Sequence, residues 1–468
     1  MRIGIGVPLK GNPGSGANFV ITSLTAEPWL ATKPDGRQGE RLATDATWDT
    51  SHTVLRLSLR HGIYFHDDTQ LTPELAAQIL RKSVADKEAA SFASVQSIRV
   101  SGDDSIELKL SEPNAFLVGD LSLGSVRLPN KLKVGSGPFQ IVKRDADQAI
   151  LKAFSKYYRG RPALDEIYII NYPTQRKAWT ALMRGQIDML HEVSRDAAEF
   201  VEAETTVNTY SFRRAYYIPL VFNVRHPVLR NAEVRKAINE ALDKATLVRD
   251  GLNGRGRPAD GPIWPEHWAY APPPQPFVFN PEAARLRLDN AGFGLHPRTD
   301  KGVPGRFSFT CLVFANDPRF ERLAILVQNQ LADVGIEMKL QPVKQDNLEA
   351  RLKSGDFDAF LFEMFGRSLG YMYEFWHQHE GALANTGYRS ANAVLDRVRS
   401  ARSDDEVKRG MADFARLLHD DPPAAFLAWQ TTARAVSTKF DVSPEPDRDI
   451  LSNVWQWHLA SGTPQASR

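Results

Sequence analysis

The sequence predicts an α/β protein with more than one core, and three observations predict it. At 468 residues the chain exceeds the size at which a single core stops growing, so two or three domains are expected. A local grammar of apolar strand, capped helix, glycine stop and second strand recurs, which is the βαβ unit. No run of about 18 apolar residues occurs, so no segment reads as a membrane-spanning helix.

The elements follow in order. Residues 167–170 read as a strand, Thr174 as the cap of a helix carrying Trp179, Leu182 and Met183, Gly185 as its stop, and residues 187–190 as the next strand. Further along, residues 307–314 alternate as a strand, and Asp317 with Pro318 supplies an N-cap followed by proline at the first helical position. Leu323, Leu326, Val327 and Leu331 recur at helical spacing up to Gly335, and Ile336, Met338 and Leu340 then alternate. Leu348 and Leu352 lead to Gly355 and a strand over residues 357–362, so this region reads as βαβαβ. The joints at 182–188 and 352–358 are similar, which predicts two related lobes with a ligand position at the carboxyl ends of their strands. Thr72 before Pro73, Asn231, and Asn280 before Pro281 are further helix starts.

Composition excludes several classes. Hydrophobic residues make up 42% and charged residues 24%, as in ordinary globular proteins, and a net charge of +2 provides no basic field for nucleic acid. The single cysteine, Cys311, cannot form an internal disulfide and reads as a buried strand thiol.

Catalytic and metal motifs are weak. Gly11, Gly14 and Gly16 are not followed by the Lys-Ser/Thr of a phosphate loop, and Ser136 lacks the glycine spacing of a nucleophile elbow. His377 and His379 beside Glu380 are the best metal candidates, because alternate residues of an extended segment project to one side; two imidazoles alone make a weak site, and the bland reading is a solvated loop. His66-Asp67-Asp68 invites a hydrolytic reading, against which stands a polar turn between strand and capped helix. Aromatic residues gather near expected loops and strand ends: Trp29, Phe92, Trp264, Trp268, Phe365, Tyr371, Tyr373, Phe375 and Trp376. They suit a binding cleft.

The stretch VLRLSLRHGIYFHDDTQL over residues 54–71, followed by TPELAAQIL, resembles the family 5 extracellular solute-binding proteins of bacterial ABC importers. Asp68 stands where that family usually has glycine, and Leu75 replaces its acidic helix residue. Supporting stretches follow in the family's order at 110–113, 134–139, 182–188, 222–238 and 281–293. The resemblance implies a large periplasmic-binding-protein fold of class II type, two α/β lobes around a ligand cleft plus an extra inserted domain. It places the first lobe at residues 1–30, 131–225 and 431–468, the extra domain at 31–130 and the second lobe at 226–430. The extra domain would be short, with residues 87–94 running almost directly into a strand at 105–110.

The implied function is reversible capture of a small solute, peptide-like or otherwise polar or anionic, by hinge closure and delivery to membrane permease subunits. The chain would act as a monomer without enzymatic activity, cofactor or nucleic acid. The resemblance places Glu27, Trp29, Phe92, Asn223, Phe365, Arg367, Ser368 and Tyr371 against the ligand. Ser368 aligns with an aspartate that pairs with the amino terminus in peptide-binding members, and Arg367 beside it would favour an anionic group. Alternatives are a metal or metallophore binder using His377 and His379, and a hydrolase on the same scaffold. A periplasmic or extracytoplasmic location is implied, although residues 1–16 lack the pattern of a secretory signal and by themselves read as cytoplasmic.

Overall fold

The structure is a computed structural model describing residues 1–6, 16–129, 131, 134–296, 305–315, 317–366, 368–379 and 381–461. Gly11 and Gly14 lie outside the described residues. The chain forms two compact units. Unit 1 comprises Met1–Glu112, Leu117–Arg213 and Thr431–Arg468, and unit 2 comprises Pro113–Phe116 and Arg214–Gln430. The division at Arg213 and Arg214 precedes the lobe edge expected at residue 225, and residues 31–130, expected as the extra domain, fall within unit 1 except for Pro113–Phe116.

Unit 1 begins with β1 (Arg2–Gly6), α1 (Gly16–Thr25), β2 (Leu30–Thr32), β3 (Gln38–Glu40), β4 (Ala43–Trp48) and β5 (Val54–Leu59). There follow α2 (Pro73–Ala85), β6 (Val95–Val100), β7 (Ser105–Leu110) and α3 (Leu117–Asp120). Next come β8 (Phe139–Arg144), β9 (Gln148–Ala153), β10 (Glu166–Tyr172), α4 (Gln175–Met183), β11 (Met189–Leu190) and α5 (Arg195–Glu202).

In its larger sheet, ordered β11-β1-β10-β9-β8, β1 runs parallel to both β10 and β11. Thus β10, α4 and β11 form the expected βαβ unit with β1 lying between the two strands. Thr174 caps α4 by accepting the Lys177 amide at 3.2 Å. The second strand is shorter than expected: the Gln186 and Ile187 amides still bond the Ala181 carbonyl at the helix end, so only Met189 and Leu190 pair.

Residues expected in the extra domain form a separate antiparallel sheet, β4-β5-β7-β6, over a core that includes Leu55, Leu57, Leu80 and Leu108. Strand β6 corrects the expectation that residues 87–94 lead straight to β7. Only Ile98 of its six residues is buried, so its alternation is too weak to read. Thr72 caps α2 through the Leu75 amide at 3.3 Å.

Unit 2 is entered along β12 (Val207–Phe222), a 16-residue strand whose first part belongs to unit 1. Then come α6 (Ala232–Glu240), α7 (Lys244–Thr246), β13 (Gly256–Pro258), α8 (Pro281–Asn290), β14 (Phe307–Phe314), α9 (Pro318–Asp333) and β15 (Ile336–Val343). After α10 (Gln345–Ser354), β16 (Ala359–Leu361), β17 (Met364–Phe365), α11 (Leu369–Trp376), α12 (Asn392–Arg399) and α13 (Asp404–Asp420), β18 (Ala424–Ser437) carries the chain back to unit 1. Strand β14 is parallel to β15 and β16, which is the expected βαβαβ, although β16 is shorter than residues 357–362 because it pairs with β14 only opposite Cys311 to Val313.

The aromatic residues read as cleft-lining divide on inspection. Trp264, Tyr373, Phe375 and Trp376 are buried in the unit 2 core, where α11 turns three of them inward. Cys311 is fully buried and its thiol is pushed up by that burial.

Candidate functional site

In unit 1, Trp29 and Phe92 line one cavity of about 200 Å³, together with Ile79, Leu121, Asp120 and Arg127. The Trp29 carbonyl accepts the Ala43 amide at 2.8 Å, which fixes the entry to β2, and Phe92 sits in a short 3-10 turn over residues 90–94. Both side chains are about 5% exposed and belong to the core as well as to the cavity wall. Arg127 reaches Thr22 Oγ1 at 3.4 Å, and burial holds its guanidinium below the ordinary arginine value. The wall therefore combines aromatic and aliphatic side chains with the charged Lys82, Glu88, Asp120 and Arg127, a mixture found in small-molecule sites.

Glu27 lies beside this cavity: its carbonyl accepts the amide of Val126, a lining residue, at 2.8 Å. Its side chain is turned into the protein. Oε1 accepts the Tyr157 hydroxyl at 2.9 Å, the Tyr158 hydroxyl at 3.4 Å and an ion pair from Arg41 at 3.4 Å, while Oε2 is enclosed with no partner. Burial raises the Glu27 carboxyl above its ordinary value, against the opposing pull of Arg41 and the Tyr157 hydrogen bond. Sequence reading did not find Arg41, Tyr157 or Tyr158, because their convergence on one carboxylate depends on pairings remote in the chain.

The His66 segment has a structural task. Its amide bonds the Gly135 carbonyl at 2.9 Å, Nε2 donates to the Gly137 carbonyl at 3.0 Å, and Phe154 meets the ring edge-on. Burial lowers its pKa. Asp68, at the position usually glycine in the family, has φ 67°, a left-handed conformation that aspartate tolerates in turns. Ser136 is buried at 1% exposure.

In unit 2, Phe365 stacks edge-on with Tyr216 at 5.4 Å and Tyr371 at 5.1 Å, and the Arg214 guanidinium lies 4.8 Å from the Tyr216 ring. Burial pushes the Tyr371 hydroxyl up to about 12. Ser368 is the N-cap of α11, its hydroxyl accepting the Tyr371 amide at 3.2 Å. A hydroxyl acceptor suits a helix start, which explains serine here in helical terms. Arg367 lies outside the described residues.

Asn223 is committed to the backbone. Its amide donates to the Phe357 carbonyl at 2.7 Å and the Gly355 carbonyl at 3.2 Å, and its oxygen accepts from Arg225. The structure thus brings Trp29, Phe92 and Glu27 together in one unit, and Phe365, Ser368 and Tyr371 in the other, with Asn223 tying a strand end to a helix-to-strand joint.

The His377 and His379 rings lie 5.6 Å apart, on one side as alternation suggested, but each is engaged with other groups. His377 is 9% exposed, stacks on Tyr373 at 4.5 Å and lies 3.3 Å from Asp396, whereas His379 faces Glu374 at 3.7 Å. Among the described residues no group of three or more His, Cys, Asp or Glu could hold a metal ion, and Glu380 lies outside them. Nor is any described helix long and apolar enough to cross a membrane.

Comparison with known proteins agrees with this architecture. Residues 25–382 match the family described as bacterial extracellular solute-binding proteins, family 5 Middle. The oligopeptide-binding protein AppA of Bacillus subtilis is 24% identical over 450 residues, covering 86% of this chain and 80% of AppA. Among solved structures, NikA from Brucella suis in complex with Fe(III)-EDTA superposes with a TM-score of 0.85 at 19% identity, over 98% of this chain and 100% of NikA. NikZ from Campylobacter jejuni in complex with Ni(L-His) gives 0.82 at 18% identity, over 98% and 99%. The fold is that of the two-lobed periplasmic binding proteins, and the chain belongs to the bacterial extracellular solute-binding proteins of family 5.

Proposed function

We propose that this chain captures a small organic solute, peptide-like or otherwise polar or anionic, outside the cytoplasm and presents it unaltered to the permease subunits of an ABC importer. The observation that carries the reading is the meeting of Trp29 and Phe92 on one cavity whose lining also includes Arg127 and Asp120. Aromatic faces supply contact area at low entropic cost, and the charged side chains orient the ligand. Capture by hinge closure shifts the population only as far as the ligand prefers the closed form. No bond need break: the Cys311 thiol is buried and its pKa raised, and His66 is engaged with the Gly137 carbonyl. The chain acts as a monomeric receptor, and a periplasmic location follows the same reading.

Mass spectrometry of small molecules retained through native purification tests it. The solute should be recovered chemically intact and should rebind by calorimetry. Phe92→Leu keeps an apolar body in the core while removing the ring, and should weaken rebinding by about threefold to tenfold, the worth of one aromatic contact. A solute released chemically changed, or affinity unaffected by both Phe92→Leu and Arg127→Gln, refutes the reading.

A further inference from the structure

Beside Glu27 lies a group of cations. Three guanidiniums, those of Arg41, Arg60 and Arg159, gather around Tyr157, Tyr158 and Trp455. Arg41 pairs with Glu27 at 3.4 Å and Arg60 with Glu40 at 2.5 Å. Arg159 makes no ion pair or hydrogen bond among the described residues. Its guanidinium carbon lies 5.6 Å from the Tyr158 ring centre and 5.7 Å from that of Trp455, and Arg60 lies 5.4 Å from the same tyrosine ring. Among the described residues, Glu27 and Glu40 pair with two of these guanidiniums, and Arg159 feels the Glu27 charge only at a distance.

Glu27 cannot partner Arg159 directly. Its Oε1 is occupied by two tyrosine hydroxyls and Arg41, and its Oε2 is enclosed in the protein. Arginine does not lose its proton, so the charge on Arg159 is permanent. Aromatic rings against a guanidinium leave its N–H groups as the surface for hydrogen bonding, and those groups match the two oxygens of a carboxylate. Half-buried between aromatic rings, Arg159 is held ready for a bidentate partner that no described residue provides.

We propose that Arg159 anchors a carboxylate group of an organic anion, with Tyr158 and Trp455 backing the guanidinium. The proposal deepens the solute-capture reading, on which it rests, by assigning the charge of the ligand. The test is calorimetric titration of the full chain with succinate and, separately, with succinamide, its uncharged diamide. Succinate should bind and succinamide should not. Arg159→Gln should weaken succinate about tenfold or more, and Arg159→Lys should fall between, because an ammonium keeps the charge but loses the fork. Arg60→Gln, which removes a guanidinium already paired with Glu40, should change the affinity less than about threefold, as expected for a screened neighbouring charge.

No heat with succinate, equal affinity for succinamide, or an Arg159→Gln protein that melts like the parent and binds succinate as tightly, overturns the proposal. The two readings fail separately. If Phe92→Leu leaves rebinding of the recovered solute untouched while succinate still requires Arg159, the anion site stands and the cavity reading falls. If the recovered solute is uncharged and succinate gives no heat, the anion site falls and capture stands.

Discussion

The joints at residues 182–188 in unit 1 and 352–358 in unit 2 solve one local problem with one design. Each helix ends at a glycine with positive φ, 65° at Gly185 and 75° at Gly355, and four residues later each chain begins a strand parallel to a neighbour, β1 for β11 and β14 for β16. Each also carries an aspartate whose carboxylate accepts the amide of a neighbouring strand, Asp188 from Arg2 at 2.7 Å and Asp358 from Thr310 at 2.8 Å. Their surroundings differ. A methyl group on Gly185 would meet nothing within 4 Å, whereas on Gly355 it would fall 1.9 Å from Arg225 Nη2 and 2.9 Å from the Asn385 carbonyl. Turn geometry is therefore shared, and sensitivity to substitution is set by what packs on the turn.

That comparison breaks or sharpens by substitution. Gly355→Ala should have the largest effect, about 3 kcal/mol in urea unfolding. It combines left-handed strain with displacement of Arg225, which donates to the Asn385 carbonyl at 2.6 Å and to Asn223 Oδ1 at 3.1 Å. Asp358→Ala should cost about 2 kcal/mol, because the Thr310 amide loses its acceptor, and Asp188→Ala should agree within about 1 kcal/mol since its added pair with Arg2 is partly exposed. Gly185→Ala should cost only about 1 kcal/mol, from backbone strain alone. Equal losses at the two glycines would remove environment as the deciding factor.

The same contrast explains what could be read from the sequence. Helix starts depend on residues two or three apart, and Asn231, Asn280 and Asp317 accept amides of the first turn alongside Thr72 and Thr174. Strand β14 runs over the residues that alternation marks out. Sheet order is different: β1 meets β10 and β11 from more than 160 positions away, as in the pairing of Arg2 with Tyr168. The candidate site was least readable. Trp29 and Phe92 were marked by family resemblance, and no local pattern places them on one cavity. The full engagement of the Asn223 amide and the aromatic setting of Arg159 are properties of assembled surroundings, which no short stretch encodes.

The core of the α/β part of unit 1 draws together Ile3, Ile5, Phe139, Met189, Val436 and Trp457, whereas the unit 2 core, apart from Phe116, is drawn from residues 217–429. A ribosome delivers these groups in order of number. The second unit therefore holds nearly all of its apolar partners while the first still lacks Val436 and Trp457. Until Val436 and Trp457 have been made, β1 and its parallel neighbours remain an unfinished apolar surface, the kind that holding chaperones engage on nascent chains. A unit begun before its neighbour is completed after it.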